Sequence, residues 1–387
     1  MAGKRIALFT PSYRIEETLA AVRECLEVGW TGLGFKTDAF EAAWREYTEL
    51  PYAHFVNSAT AALHMAVEGL KMAGDWKEGD EIITTPLTFV STNHAILYAG
   101  MKPVFADVDE TLNITVASIE AVLSERTRAV MFVGMGGNPA HLREVSSFCR
   151  ERGLRLILDA AHMAGTRVQG RHVGHEADAT CFSFQAVKNL PTADSGMVCF
   201  ADAALDTWAR KWSWLGINKN TFQRTGQQGS YRWDYDVEHV GHKYNGNSIM
   251  AAIGLVSLKY LDHDNAYRRQ LAEWYDDLLP WRALLPDGTR AVEAVPHSVG
   301  SSRHLYQIVA HDRDALMVFM NANDIYPGVH YKDNRAYAMY APGEAERCPV
   351  AWEKSRGAVS LPMSLAVTRA DVVRVMGAVG EFYARAV

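Results

Sequence analysis

Thr180-Cys-Phe-Ser-Phe-Gln-Ala-Val-Lys-Asn-Leu-Pro-Thr-Ala-Asp-Ser-Gly-Met-Val-Cys-Phe200 holds two short apolar runs with a polar loop between them. The runs, 180–184 and 196–200, read as strands, and the loop carries one lysine, Lys188, followed by Asn189 and Pro191. A loop lysine is ordinarily a solvated surface group. The stretch upstream changes that reading. Leu154-Arg-Leu-Ile-Leu-Asp-Ala-Ala-His162 is a short apolar strand that ends in Asp159, then small residues, then His162. A carboxylate at the carboxyl end of one strand and a lysine just past another is the pairing that pyridoxal phosphate requires. The lysine forms the imine, and the carboxylate keeps the pyridine nitrogen protonated.

Outward from this centre, strands and helices alternate. The pattern predicts strands at 54–56, 81–84, 103–107, 128–133 and 155–159, and helices at 61–71, 89–99, 115–123 and 142–152. Such alternation indicates right-handed crossovers and a largely parallel sheet, whose ligands sit beyond the carboxyl ends of the strands. Thr60, Phe89, Asp159 and Lys188 all fall at or just past strand ends. Asn57-Ser-Ala-Thr60 lies between a strand and a helix. Ser58, Ala59 and Thr60 therefore stand at a helix N-terminus, where free N–H groups and the positive dipole end suit a phosphate. Taken alone, Ser58 or Thr60 reads as an ordinary cap. An aromatic at position 89 is either core or a platform for a flat ring.

Before this alternation, helices are predicted at 16–28 and at 38–47, the second with Asp38 as N-cap. Gly29-Trp-Thr-Gly-Leu-Gly34 separates them, as a plain connector or as a loop over a ligand that would make Thr31 a substrate contact. After it come helices at 202–214 and 249–260 and a polar, aromatic stretch at 216–236. A linking helix is expected at 265–284. A smaller α+β region follows, with strands at 304–311, 328–331 and 358–361 and helices at 313–323 and 368–385. The chain is expected to be α/β, with a lead-in and large domain over 1–255 and a linking helix and small C-terminal domain over 256–387.

The 387 residues are 48% hydrophobic and 22% charged, with a net charge of -6. That balance gives no basic stripe for nucleic acid and no polybasic anchor for lipid. No apolar run approaches the ~18 residues of a membrane span. Five widely spaced cysteines without a CxxC read as reduced thiols of a cytoplasmic protein. GxGxxG after a strand, GxxxxGK[ST], GxSxG and HExxH are all missing, and the 14 histidines form no metal cluster. His162 and Ser183 each have a bland reading, as a packed histidine and a buried strand serine. Together, a helix-N-terminal Ser/Thr, an aromatic, Asp-x-x-His and Ser-x4-Lys fit one phosphate-bearing aromatic cofactor.

Seven stretches in order carry a family resemblance: Asn57-Ser-Ala-Thr-Ala-Ala-Leu63, Pro86-Leu-Thr-Phe-Val-Ser-Thr92, Lys102-Pro-Val-Phe-Ala-Asp-Val-Asp109, Leu158-Asp-Ala-Ala-His162, Ser183-Phe-Gln-Ala-Val-Lys-Asn189, Asp194-Ser-Gly-Met197 and Gly241-His-Lys-Tyr-Asn245. From Gly29 to Met363 the chain resembles the DegT/DnrJ/EryC1/StrS family of pyridoxal-phosphate sugar aminotransferases, of fold type I. The resemblance implies Lys188 as the imine-forming lysine, Asp159 facing the pyridine nitrogen and His162 the phenolic oxygen. It implies Phe89 stacked on the ring, and Ser58, Ala59, Thr60 and Ser183 around the phosphate. Lys243 matches a position that reaches the neighbouring subunit's phosphate, which implies a homodimer with shared sites. The implied reaction moves an amino group from L-glutamate to a keto sugar on a nucleotide, through the pyridoxamine form of the cofactor. Ala59 stands where glycine is usual, and Gln185 where His or Tyr is commoner. Gly246-Asn-Ser248 and Asp333-Asn-Arg335 also depart from the family pattern. Gln185, His330, Tyr331, Lys332, Arg335 and the 216–236 stretch are the candidate substrate contacts. Three rival functions stand beside this one. A sugar dehydratase of the same family would carry histidine in place of Lys188. A related aminotransferase or dehydratase would act on a cyclitol or aminobenzoate precursor, and a non-catalytic regulator would bind the cofactor without turning over.

Overall fold

Seven strands form the central sheet, in the order β2-β10-β9-β6-β5-β3-β4. They are β2 (His54–Val56), β3 (Glu81–Thr84), β4 (Lys102–Phe105), β5 (Thr127–Val133), β6 (Arg155–Asp159), β9 (Ala179–Ser183) and β10 (Gly196–Phe200). β10 runs antiparallel to both its neighbours, and the other pairings are parallel. The computed structural model describes residues 4–218, 235–279, 284–285, 288–340 and 347–385.

Successive residues of a strand point to opposite faces, and here both faces are covered. Val130, Phe132, Leu156, Leu158, Phe182 and Met197 pack into one apolar cluster, together with Phe40 and Trp44. Ala129, Met131, Ile157, Cys181 and Val198 pack into another, together with Leu63, Val67 and Ile96. Burial on both sides explains why these strands read as continuous apolar runs. α3 (Ala59–Ala73), α4 (Val90–Tyr98) and α7 (Ala203–Trp212) supply the second cluster. α1 (Ile15–Val28), α2 (Phe35–Thr48), α5 (Val116–Glu120), α6 (Leu142–Arg152) and α8 (Ser248–Leu258) complete the helices of this part.

A third cluster belongs to the smaller lobe. It joins α9 (Leu261–Leu278) and α12 (Arg369–Arg385) to the antiparallel sheet of β11 (Val292–Ala294), β12 (Tyr306–Ala310) and β14 (Ala358–Leu361). Tyr275 stacks on Tyr306 at 4.7 Å within it. Ile6 packs here too, because β1 (Ile6–Ala7) pairs in parallel with β13 (Ile325–Tyr326). The boundary near residue 255 remains our proposal for dividing the lobes.

Several expectations shift. The helix expected at 38–47 begins at Phe35: Gly34 caps it, its N–H bonding Thr37 Oγ1 at 3.0 Å. Asp38 lies in the first turn, where an acid favours the helix dipole, and is not the cap. The linking helix runs Leu261–Leu278 rather than 265–284. The strand expected at 328–331 does not form: Gly328 makes one isolated bridge to Ser360, and the pairing falls at Ile325–Tyr326. Elements outside the expected pattern include β1, β11, the hairpin of β7 (Arg167–Val168) with β8 (Arg171–His172) and the helix α11 (Pro349–Gly357). The proline that opens α11 is its local start signal. α10 (Arg313–Ala322) matches the helix expected at 313–323. No helix among the described residues is long and apolar enough to cross a membrane.

Candidate active site

The carboxyl ends of five strands, β2, β3, β5, β6 and β9, converge on one cavity of about 450 Å³. Its walls include Ser58, Ala59, Thr60, Phe89, Asp159, His162, Ser183, Gln185, Lys188, His330 and Tyr331. Most of the residues singled out from the sequence therefore meet. Thr31, Lys243, Lys332 and Arg335 do not line it.

The lysine loop is folded back as a distorted hairpin. Phe184 N–H bonds Ser195 O at 2.9 Å and Ala186 N–H bonds Ala193 O at 2.8 Å, continuing the β9–β10 ladder. Gln185 turns the chain: its side-chain oxygen accepts from Val187 N–H at 3.0 Å and its carbonyl from Lys188 N–H at 2.8 Å. This fixes the direction in which Lys188 leaves the backbone. Burial pulls the Lys188 amine down to about 8, against a partial upward pull from Asp159.

Asp159 ends β6 and is buried. Thr92 Oγ1 donates to its Oδ2 at 2.7 Å and Ala161 N–H to its Oδ1 at 3.1 Å. Burial raises its carboxyl, while those two bonds and the Lys188 charge favour the anion. Gly136 N–H donates to His162 Nδ1 at 3.2 Å, so a neutral ring carries its proton on Nε2, which faces Tyr331 Oη at 3.1 Å. Burial holds His162 well below the ordinary histidine range.

At the opposite wall α3 begins. Ser58 caps it by accepting Ala61 N–H at 3.1 Å, which leaves the Ala59 and Thr60 amides at the open end. A Cβ on Gly196 would come within 2.7 Å of Ala59 N and 2.8 Å of Phe182 O. Glycine there lets β10 lie against the helix start. Phe89 is 56% exposed and flanks the cavity 5.9 Å from the Tyr331 ring.

These groups fit pyridoxal phosphate: an amine of depressed basicity, a buried carboxylate in the same cavity, and a backbone cradle with two hydroxyls for a phosphate. Phe9 and His304 also line the cavity, with Thr92 holding Asp159 and Asn189 holding His304 from behind, and no local sequence signal marks any of the four as a site residue. Asn189 saturates its amide on Asn265 Oδ1 at 2.7 Å and Ser302 O at 3.0 Å, and His304 Nδ1–H donates to its Oδ1 at 2.9 Å. The His304 ring lies 4.4 Å from that of His162 and 5.4 Å from that of Phe9.

Two substrate candidates stand outside the cavity. Arg335 is buried, donating to Asp333 Oδ2 at 2.6 Å and to Cys348 O at 2.9 Å, so it is a structural ion pair. Lys332 does not line the cavity and lies over the Tyr337 ring at 4.9 Å. The Thr31 carbonyl accepts from Ser248 N–H at 3.1 Å in the α1–α2 connector. Lys243 Nζ lies 3.0 Å from the Trp214 ring centroid. Of the 216–236 stretch, residues 219–234 lie outside the described residues.

Fold and site together define a pyridoxal-phosphate-dependent enzyme of fold type I. A family model for the DegT/DnrJ/EryC1/StrS aminotransferase family matches residues 12–380. The chain belongs to that family, and it is an aminotransferase. Solved structures agree. The aminotransferase TlmJ from Streptoalloteichus hindustanus is 31% identical, with a TM-score of 0.87 over 99% of this chain and 100% of that one. DesV from S. venezuelae is 27% identical, with a TM-score of 0.86 over 98% and 99%. Helicobacter pylori PseC, an aminotransferase involved in the biosynthesis of pseudoaminic acid, is 26% identical, with a TM-score of 0.86 over 99% and 100%.

Proposed function

We propose that this aminotransferase moves an amino group from L-glutamate to a keto sugar carried on a nucleotide. The observation that carries the reading is the meeting of Lys188 and Asp159 in one cavity at the carboxyl ends of the sheet. The sugar is supported by relatives such as PseC, and the exposed face of Phe89 beside Tyr331 offers apolar surface to a ring.

Bound here, pyridoxal phosphate would supply an aldehyde for the amine and a pyridinium ring that accepts an electron pair. Ala59 and Thr60 amides with the Thr60 and Ser183 hydroxyls hold the phosphate. Asp159, oriented by Thr92, would keep a proton on the ring nitrogen. His162 Nε2–H is available to the ring's phenolic oxygen. With the donor bound, Lys188 Nζ would stand as the general base for the donor's Cα proton, and an amine near 8 suits that work. The two substrates then share one site in turn, which gives double-displacement kinetics. Lys243 completes the site from a second subunit of a homodimer.

A panel of nucleotide-linked 3-keto and 4-keto sugars with L-glutamate tests this, read by 2-oxoglutarate release. Turnover with at least one sugar is expected. Turnover with a cyclitol ketone and with none of the sugars would overturn the substrate class.

A further inference from the structure

A second, much smaller cavity lies behind the lysine loop. It measures about 20 Å³, and Lys188, Asn189, Phe9, Ser12, Arg268 and Ser364 are among its walls. That is room for one or two water-sized occupants and too little for a substrate.

Its polar groups are under-used. Arg268 is 6% exposed, and among the described residues its guanidinium makes one hydrogen bond, from Nη1 to Met363 O at 2.9 Å. Its buried Nε has no partner there. Ser364, 2% exposed, has a buried hydroxyl with no partner among the described residues either. A guanidinium carries five N–H donors and no acceptor. A buried cation left with so few partners is costly. Asp264, a carboxylate that also lines the cavity, is already bonded to Arg14 Nη2 at 2.7 Å. One carboxylate thus faces two guanidiniums, those of Arg14 and Arg268, which leaves a net positive charge beside Lys188. Burial draws Arg268 down to about 10, against an upward pull from Asp264.

We propose that this cavity is a binding site for one small monovalent anion of halide size, held by Arg268 and the Ser364 hydroxyl directly behind Lys188. Arg268 Nε–H and Ser364 Oγ–H both donate, which selects an anion over a cation. The occupant neutralises Arg268 and sets the local charge against which Lys188 titrates.

Crystals of the holoenzyme soaked in sodium bromide provide the direct test. An anomalous peak is expected within hydrogen-bonding distance of Arg268 Nε and Ser364 Oγ. In solution, chloride titrated against gluconate at constant ionic strength should raise Tm along a saturating curve. Arg268→Met should abolish both the peak and the saturating rise. Ser364→Ala, a milder change, should shift the chloride midpoint upward even if Arg268→Met folds poorly. Density that stays water-like in bromide, or a Tm response equal in wild type and Ser364→Ala, would overturn the site.

Discussion

Lys188 is both enclosed and close to Asp159, and the two influences oppose each other. Burial wins, so the amine sits near 8 against an ordinary lysine value of 10.5. In the cofactor-free protein, attachment of pyridoxal phosphate should accelerate about tenfold per pH unit up to about 8 and then level off, read by stopped-flow absorbance. The sign for stability follows from the same shift. Between about 8 and 10.5 the unfolded lysine holds a proton that the native one has lost, so native stability rises with pH across that window. A rate that still climbs tenfold per pH unit from about pH 8 to 10 would remove Lys188's depressed basicity from the mechanism. At this scale the places of Asp159, Thr60 and Ser183 in the cavity were legible because each closes a strand or opens a helix, and that of Lys188 because its loop joins two strands. Phe9 and His304 were not: they stack at 5.4 Å from distant parts of the chain, and nothing local marks either of them. Arg335 misled because a charge beside a candidate substrate run looks available, whereas its partner Asp333 is two residues away.

The element that shapes the cofactor seat is the start of α3 against β10. Two backbones meet there, and Gly196 is the residue that permits it. Gly196→Ala would place a Cβ 2.7 Å from both Ser58 C and Ala59 N, atoms that cannot rotate aside. The expected cost is about 1–3 kcal/mol of stability and a marked loss of cofactor affinity, measured by thermal melts and by fluorescence titration. Full affinity in the variant would show that the helix start does not hold the phosphate. The α/β elements themselves were largely readable, several with unchanged limits, such as β3, β6, β10 and α6. What periodicity missed was short or paired at long range: Ile6–Ala7 has two residues and pairs with Ile325–Tyr326, far along the chain. A two-residue strand leaves no alternation to detect. The start of α2 was misplaced for a related reason, because Gly34 caps through its backbone while Asp38 offered the more familiar side chain.

At the scale of the whole molecule, the single chain assembles the cavity but leaves Lys243 outside its walls, seated on Trp214. A homodimer in which Lys243 serves the neighbouring site makes a specific prediction. Lys188→Ala and Lys243→Ala chains, each inactive alone, should regain activity when refolded or co-expressed together. Half of the random dimers are mixed, and each mixed dimer holds one intact site, so about a quarter of wild-type turnover is expected. An inactive mixture would place Lys243 outside the site. The family was legible from seven ordered motifs because five of them are strand ends and loops that line one cavity. The substrate was not, because the residues that would choose it come from the small lobe and from segments with no periodicity. The most direct measurement is borohydride reduction of the holoenzyme followed by peptide mass spectrometry. The cofactor's mass should appear on the peptide containing Lys188 and vanish from it when L-glutamate is added before the reductant. A label on another lysine, or one that glutamate leaves unchanged, would contradict the role assigned to Lys188.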